Sequence, residues 1–253
     1  MEIPSPQTRF IGHHVMQYDK VMSTNDMLME KIREGNLQEG AIVLAGEQMR
    51  GRGQHGKAWE SPAGRNVLMS IYLKPSFLNG TNFPMLASCI ALGVRAVLQR
   101  HLPERELRVK WPNDILCNGK KICGILIENH LNGVQSTTIV GIGINVFQSI
   151  FHAFERQATS ILLEQPGFVG SVSSICSDVC EWVERYYLTL RQPNGPQQIR
   201  DLYVSQLYRL NEQVLVDATS WMITGVSLSG KLLLQNGDHR LELEHNEKKI
   251  TWN

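Results

Sequence analysis

The dipeptide Asn118-Gly119 constrains this 253-residue chain more than any other pair in it. Asn-Gly between two apolar runs makes a two-residue hairpin, because both central positions of that turn need φ > 0. It joins residues 115–117 to 121–127 as antiparallel strands and so sets one pairing of a sheet. Alternation along the second strand puts Lys121, Cys123 and Ile125 on one face and Ile122, Gly124 and Leu126 on the other. A lysine entering an apolar strand must find an anion or reach solvent. Gly124 leaves room for something to lie against the backbone. A second Asn-Gly, Asn132-Gly133, turns the chain into a strand over 137–146 that carries Gly141-Ile142-Gly143-Ile144-Asn145. Small residues in mid-strand imply a ligand or a close backbone crossing.

The rest of the chain supplies partners for that hairpin. Residues 11–18 read as extended. Ser23-Thr24-Asn25-Asp26, followed by Leu28 and Ile32, is a helix start with Ser23 or Thr24 as cap and Gly35 as the stop. Capping alone would account for Ser23 and Thr24. Residues 41–45 and 67–73 read as strands, and Pro84 opens a helix with Leu86, Ile90, Val94 and Val97 at helical spacing. Residues 107–111 form another strand, which Pro112 should end or bulge, leaving Asn113 and Asp114 at its tip. Residues 148–157 have no clean period and read as a loop. Helices follow over about 171–190 and from the Pro193–Pro196 break to about 207. From Gln213 the pattern becomes short strands at 214–217, 221–228, 231–235, 240–244 and 250–252, the pattern of a small barrel packed on the larger unit.

Between the strands at 41–45 and 67–73 lies the basic, glycine-rich stretch 46–61, Gly-Glu-Gln-Met-Arg-Gly-Arg-Gly-Gln-His-Gly-Lys-Ala-Trp-Glu-Ser. Gly51-x-Gly53-x-x-Gly56 formally matches a dinucleotide-binding fingerprint. That fingerprint must open a helix and needs an acidic residue about 20 positions on. Here Pro62 and Gly64 follow at once, and no Asp or Glu lies between Glu60 and Glu104. Two readings stay open for the loop: a solvated basic surface, or a flexible cover whose cations meet phosphate or carboxylate.

Composition narrows the class. A net charge of +1 leaves no electrostatic footprint of general nucleic-acid binding. No apolar run approaches a membrane helix, and the start MEIPSPQTRF has no apolar core of a signal peptide. Five cysteines without a C-x-x-C pair point to a reducing compartment, hence the cytoplasm, and away from a zinc site.

Gly51-Arg-Gly-Gln-His-Gly56 with Trp59-Glu-Ser-Pro62, Lys110-Trp-Pro-Asn-Asp114, Lys121-Ile-Cys-Gly124 and Gly141-Ile-Gly-Ile-Asn145, in this order, resemble the biotin protein ligases. The resemblance implies an α+β fold, a mixed β-sheet backed by helices and related to class II aminoacyl-tRNA synthetases, then a small SH3-like barrel. The implied division is a catalytic domain over 1–207 and the barrel over 208–253. It looks like the short form: the 22 residues before Ser23 are too few for a DNA-binding domain. The implied reaction joins biotin to the α-phosphate of ATP, with Mg²⁺, and passes biotin to a lysine of a biotin carboxyl carrier domain. Neither DNA nor membrane is an expected partner, and a homodimer is allowed.

By the same resemblance, Lys121 and Arg52 are the catalytic cations. Ser23, Thr24, Asn25, Gln48, Gly51, Arg52, Gly53, Gln54, Lys121, Gly124 and Gly141 bind biotin. Arg52, Gln54, Lys57, Trp59, Asn113, Asp114 and Asn145 bind the nucleotide, and Asp114 is the candidate toward Mg²⁺, whose ligands are otherwise unknown. Gln54 stands where many members carry arginine, losing a charge that His55 or Lys57 would have to replace. The adenylate-covering loop falls at about 147–157. A lipoate ligase, a biotin-binding protein without turnover and a transcriptional repressor are the competing classes.

Overall fold

The computed structural model describes residues 3–132, 135–151 and 157–252. Its main sheet has seven strands: β1 (Val15–Val21), β2 (Ile42–Gln48), β3 (Asn66–Leu73), β4 (Leu107–Lys110), β5 (Asp114–Cys117), β6 (Lys120–Asn132) and β7 (Gln135–Asn145). Their spatial order is β1-β2-β3-β7-β6-β5-β4. Only β1 and β2 run parallel among these described neighbours, so the sheet is mixed.

The two faces of this sheet have different covers. Val67, Met69 and Ile71 of β3 and Ile142 and Ile144 of β7 point into one continuous core. That core is closed by α2 (Met85–His101), α4 (Val172–Leu190) and α5 (Gly195–Ser205). On the other face α1 (Thr24–Glu34) buries Leu28 against Val43, Tyr72 and Ile139, a small second core. It covers β2, β3 and the Ile139 end of β7. The rest of that face, where β6 and β7 carry glycines, is left for the cavity described below.

Asn118 (φ 48°) and Gly119 (φ 77°) make the expected tight turn, but simple alternation fails just beyond it. The β5–β6 register runs Asp114↔Gly124, Ile115↔Cys123, then Leu116↔Lys121. One extra residue of β6 is accommodated there, a β-bulge, which reverses the facing of everything before it. Ile122 and Cys123 are therefore both core residues, and Lys121 emerges on the same face as Gly124, not opposite it.

The first strand also differs from expectation, running over Val15–Val21 instead of 11–18. Ile11 is buried, and the turn at Gly12 (φ 83°) follows it. The Glu184 carboxylate on α4 accepts the N–H groups of Arg9, Phe10 and Ile11, which diverts these backbone donors from any strand ladder. Ser23 flanks α1 in extended backbone without a side-chain capping bond, so capping does not explain it. Ser171, in contrast, caps α4 with a reciprocal box to Ser174. β4 ends at Lys110, and the Trp111–Pro112 peptide bond is cis. A short helix not foreseen in the sequence, α3, spans Ile161–Glu164.

After α5 come β8 (Gln213–Val216), β9 (Thr219–Val226), β10 (Leu232–Asn236), β11 (His239–Leu243) and β12 (Ile250–Thr251). They form an antiparallel sheet in the order β11-β10-β9-β8-β12. Trp111 joins it to the main sheet: its Nε1 donates to Gly230 O at 2.9 Å, and its ring meets His245 edge-on at 5.5 Å. No helix among the described residues is long and apolar enough to cross a membrane. Gly133 and Val134 of the second Asn-Gly turn and residues 152–156 of the 147–157 loop lie outside the described residues.

Candidate functional site

Over the open half of the sheet lies a cavity of about 870 Å³. Its floor is the pair Gly124 and Gly143, directly opposite each other on β6 and β7. The Trp59 indole lies on that pair. A methyl group at Gly124 would come within 2.9 Å of Trp59 Cζ3, and one at Gly143 would overlap the indole outright. Trp59 Nε1 is buried with no hydrogen-bond partner among the described residues. An unmet buried donor costs about 1–3 kcal/mol, and a ligand acceptor would relieve it.

Trp59 is delivered by the basic glycine stretch, which folds back on itself. Arg52 bridges Ala58, Gly53 N–H donates to Lys57 O at 2.6 Å, and Trp59 N–H donates to Gly51 O at 2.9 Å. Residues Gln54–Gly56 close the tip as a single 3-10 turn. The stretch is therefore a hairpin over the cavity, and it opens no α-helix.

Of the cations lining this space, Lys121 and Arg52 are each held by carboxylate. Lys121 Nζ lies 2.7 Å from Asp114 Oδ1 and 5.7 Å from the centre of the Trp59 ring. Arg52 Nη2 lies 2.6 Å from Asp26 Oδ1 and 3.2 Å from the Glu128 carboxylate. The arginine is thus turned to the α1 side of the cavity.

The far end is polar and closed. Ser23, Thr24 and Asn25 are each no more than 4% exposed. Thr24 donates its N–H and its hydroxyl to Gln48 Oε1, at 2.8 and 3.1 Å. Ser70 Oγ sits behind them, 2.7 Å from Thr24 Oγ1 and 2.5 Å from Asn25 Oδ1. Asn25 Nδ2 donates to Glu128 Oε2 at 2.6 Å, which links this end to Arg52. Gly141 is required here, since a side chain would reach within 2.6 Å of Asn25 Oδ1.

At the opposite end Asn113 Nδ2 donates to Ile125 O and Asn145 Nδ2 to Thr159 O. Both amides secure backbone as well as lining the cavity. Burial pushes the Tyr203 phenol far above its usual pKa, with the Asp114 carboxylate adding to it. Its hydroxyl donates to Pro112 O at 3.0 Å, holding the turn before Asp114.

Of the residues singled out in the sequence, Ser23, Thr24, Asn25, Gln48, Arg52, Gly53, Gln54, Lys57, Trp59, Asn113, Asp114, Lys121, Gly124, Gly141 and Asn145 all line this cavity. Gly51 does not; it is buried under the hairpin's own backbone at Trp59. The His55 side chain lies outside the described residues. Sequence reasoning gave no role to Ser70 or Glu128, and read Gly143 only as a small mid-strand residue beside a ligand or a crossing backbone. It also missed the rim supplied by the small sheet: His245, Lys248, Lys249 and Trp252 line the same cavity. Lys110 Nζ stands 5.2 Å from the Trp252 ring centre, across that junction. The Lys248-Lys249 pair was the only visible hint.

Among known proteins, the family model described as the biotin/lipoate A/B protein ligase family matches residues 18–145. This is half of the chain and includes every element of the cavity floor. The chain belongs to the biotin/lipoate A/B protein ligase family. It is 36% identical over 144 residues to the bifunctional ligase/repressor BirA of Bacillus subtilis, covering 56% of this chain and 43% of that protein. It is 30% identical over 142 residues to the biotin–[acetyl-CoA-carboxylase] ligase of Mycobacterium tuberculosis, covering 55% and 52%. The chain thus spans about half the length of the curated relatives it matches. The fold extends further: a biotin protein ligase from Aquifex aeolicus, in complex with biotin and ATP, superposes with a TM-score of 0.79 at 24% identity, over 95% of this chain and all of that one. This family member and that structure share a fold.

Proposed function

We propose that this protein is an ATP-dependent ligase that forms biotinyl-5′-AMP and transfers biotin to a lysine of a biotin carboxyl carrier domain. The observation that carries the reading is a single cavity bringing together Lys121, the Trp59 hairpin, the paired glycines and a closed polar end. Biotin and lipoate differ at the end remote from the carboxylate. A ureido ring needs donors and acceptors, whereas a dithiolane offers none of matching strength. The Ser23–Thr24–Gln48–Asn25 end supports biotin, because buried polar groups facing a dithiolane would lose their partners.

In the first step the biotin carboxylate attacks the α-phosphorus, a new P–O bond forms and pyrophosphate leaves. Two anions must approach, and a charge pair at about 4 Å is worth roughly 4 kcal/mol at an effective dielectric near 20. Lys121, released from Asp114, would offset that repulsion and the charge that develops. Arg52 would swing from Asp26 and Glu128 onto the carboxyl–phosphate segment. Trp59 would pack near the adenine, and Lys57, Gln54, Asn113 and Asn145 would complete the nucleotide side. In the second step the carrier amine attacks the acyl carbon, the C–N bond forms, AMP leaves and the amine gives up a proton.

No group of three or more His, Cys, Asp or Glu among the described residues could hold a metal. Mg²⁺ would therefore enter with ATP, with Asp114 as a single protein carboxylate and phosphates supplying the rest. We assign the reaction to residues 1–207, treat 208–253 as an SH3-like barrel that contributes the Lys248–Trp252 rim, and place the enzyme in the cytoplasm.

Mixing the protein with ATP and biotin should release pyrophosphate, and adding a carboxylase carrier domain should yield biotinylated carrier. Release with lipoate but not biotin would sink the biotin reading. Release with neither would sink the ligase reading.

A further inference from the structure

Lys121 sits where the sheet loses a neighbour. On one side it pairs with Leu116 of β5. On the other, β7 has ended and residues 157–159 take its place: Lys121 N–H donates to Gln157 O at 3.0 Å and accepts Thr159 N–H at its own carbonyl at 2.9 Å. Such an isolated bridge has no ladder to hold it. Asn145 Nδ2 holds it from the cavity side, at Thr159 O, and Glu164, which is 8% exposed and outside the cavity, holds it from behind. Its Oε1 accepts the Thr159 hydroxyl at 2.7 Å, and its Oε2 accepts Asn118 Nδ2 at 2.9 Å. Arg105 donates to the Glu164 carbonyl at 3.0 and 2.6 Å, with its Nε 3.7 Å from Oε2. One buried carboxylate thus ties together the hairpin turn before Lys121 and the strand-like segment beside it.

We propose that Glu164 is a positioning residue for Lys121, a reading that rests on the ligase function above. It fixes the backbone from which the lysine reaches the reacting atoms and never meets substrate itself. A misplacement of about 1 Å in a reacting group costs up to about 100-fold in rate.

The test measures adenylate formation, biotin affinity and thermal midpoint for Glu164→Ala, Glu164→Gln and Thr159→Val, in the wild-type and Lys121→Ala backgrounds. Glu164→Ala should slow adenylation about 10- to 100-fold at saturating substrates and leave biotin affinity unchanged. Glu164→Gln, which can still accept the Thr159 hydroxyl, should recover most of the rate. In the Lys121→Ala background Glu164→Ala should lower the midpoint as before but the rate no further. Equal rate losses in both backgrounds, or full rate for Glu164→Ala beside an active wild type, would overturn the proposal. Should Glu164→Ala fail to fold, Thr159→Val cuts the same tie and is judged by the same criteria. If the wild-type protein releases no pyrophosphate, the ligase reading fails instead. Amide exchange then decides the tie alone: faster exchange at Lys121 and Thr159 in the variant supports it, and unchanged exchange overturns it.

Discussion

β7 reads Gly141-Ile142-Gly143-Ile144-Asn145, and its two faces do opposite work. Ile142 and Ile144 point into the main core under α2 and α4. Gly141, Gly143 and Asn145 point into the cavity. On the first face side-chain volume is the asset, because close packing and burial hold the sheet to its helices. On the second, volume is excluded so that Asn25 and Trp59 can lie against bare backbone. One strand therefore separates stability from function at alternate residues, and a substitution on either face should disturb mainly one of the two.

The largest effect is expected on the packed face. Ile144→Ala should cost about 2–5 kcal/mol in denaturant unfolding, with near-wild-type turnover by the protein that remains folded. On the cavity face Lys121→Ala should lose ~10²–10³ in adenylation rate, equivalent to about 2.7–4 kcal/mol, at an unchanged thermal midpoint. Near-wild-type pyrophosphate release from that variant would reduce Lys121 to a strand residue reaching for solvent. Gly143→Val should cost ~1–3 kcal/mol against the closed hairpin by overpacking. The hairpin can lift Trp59 away, so turnover should fall while the midpoint moves less than in Ile144→Ala. A midpoint that falls as far as in Ile144→Ala would abolish the contrast between the faces.

The effect of pH is the smallest near neutrality and grows only in alkali. All five thiols are buried. Burial pushes Cys176 up to about 12, and Cys117 up to about 12 with the Glu164 carboxylate adding. Cys89, Cys123 and Cys180 are pushed higher, again first by burial. An unfolded chain releases these protons above about pH 8.5, whereas the folded chain keeps them. The unfolded state then binds fewer protons, so stability is constant from this source below about pH 8.5 and falls as pH rises above it. The buried phenols Tyr187 and Tyr203 act in the same direction at higher pH. A thermal midpoint that stays flat from pH 8 to 11 would show that the thiols ionise freely in the folded protein.

How far the sequence could be read depends on the range of the interactions involved. The Asn118-Gly119 turn, the helix beginning at Ser171 and the spacing of the cavity glycines are local, and their residues announce them. The facing of Lys121 was misread because alternation assumes one residue per step; the only trace of the extra residue is the adjacent apolar pair Ile122-Cys123. The shift of the first strand depends on Glu184, more than 170 positions away, and no local pattern records it. The Lys248–Trp252 rim, hinted at only by its paired lysines, and the Glu164 tie were hidden for the same reason: tertiary packing brings the first to the cavity and the second behind Lys121.

The irregularity at Ile122 sets how tolerant this hairpin can be. Ironing the bulge out with every residue kept would aim the ammonium of Lys121 at the aliphatic interior and strand it there without a counter-ion, whereas deleting Ile122 or Cys123 would give an even strand that keeps the lysine on the side of Gly124. Loops elsewhere on the molecule can drift in length, but here a count of one decides on which side of the protein the charge comes out.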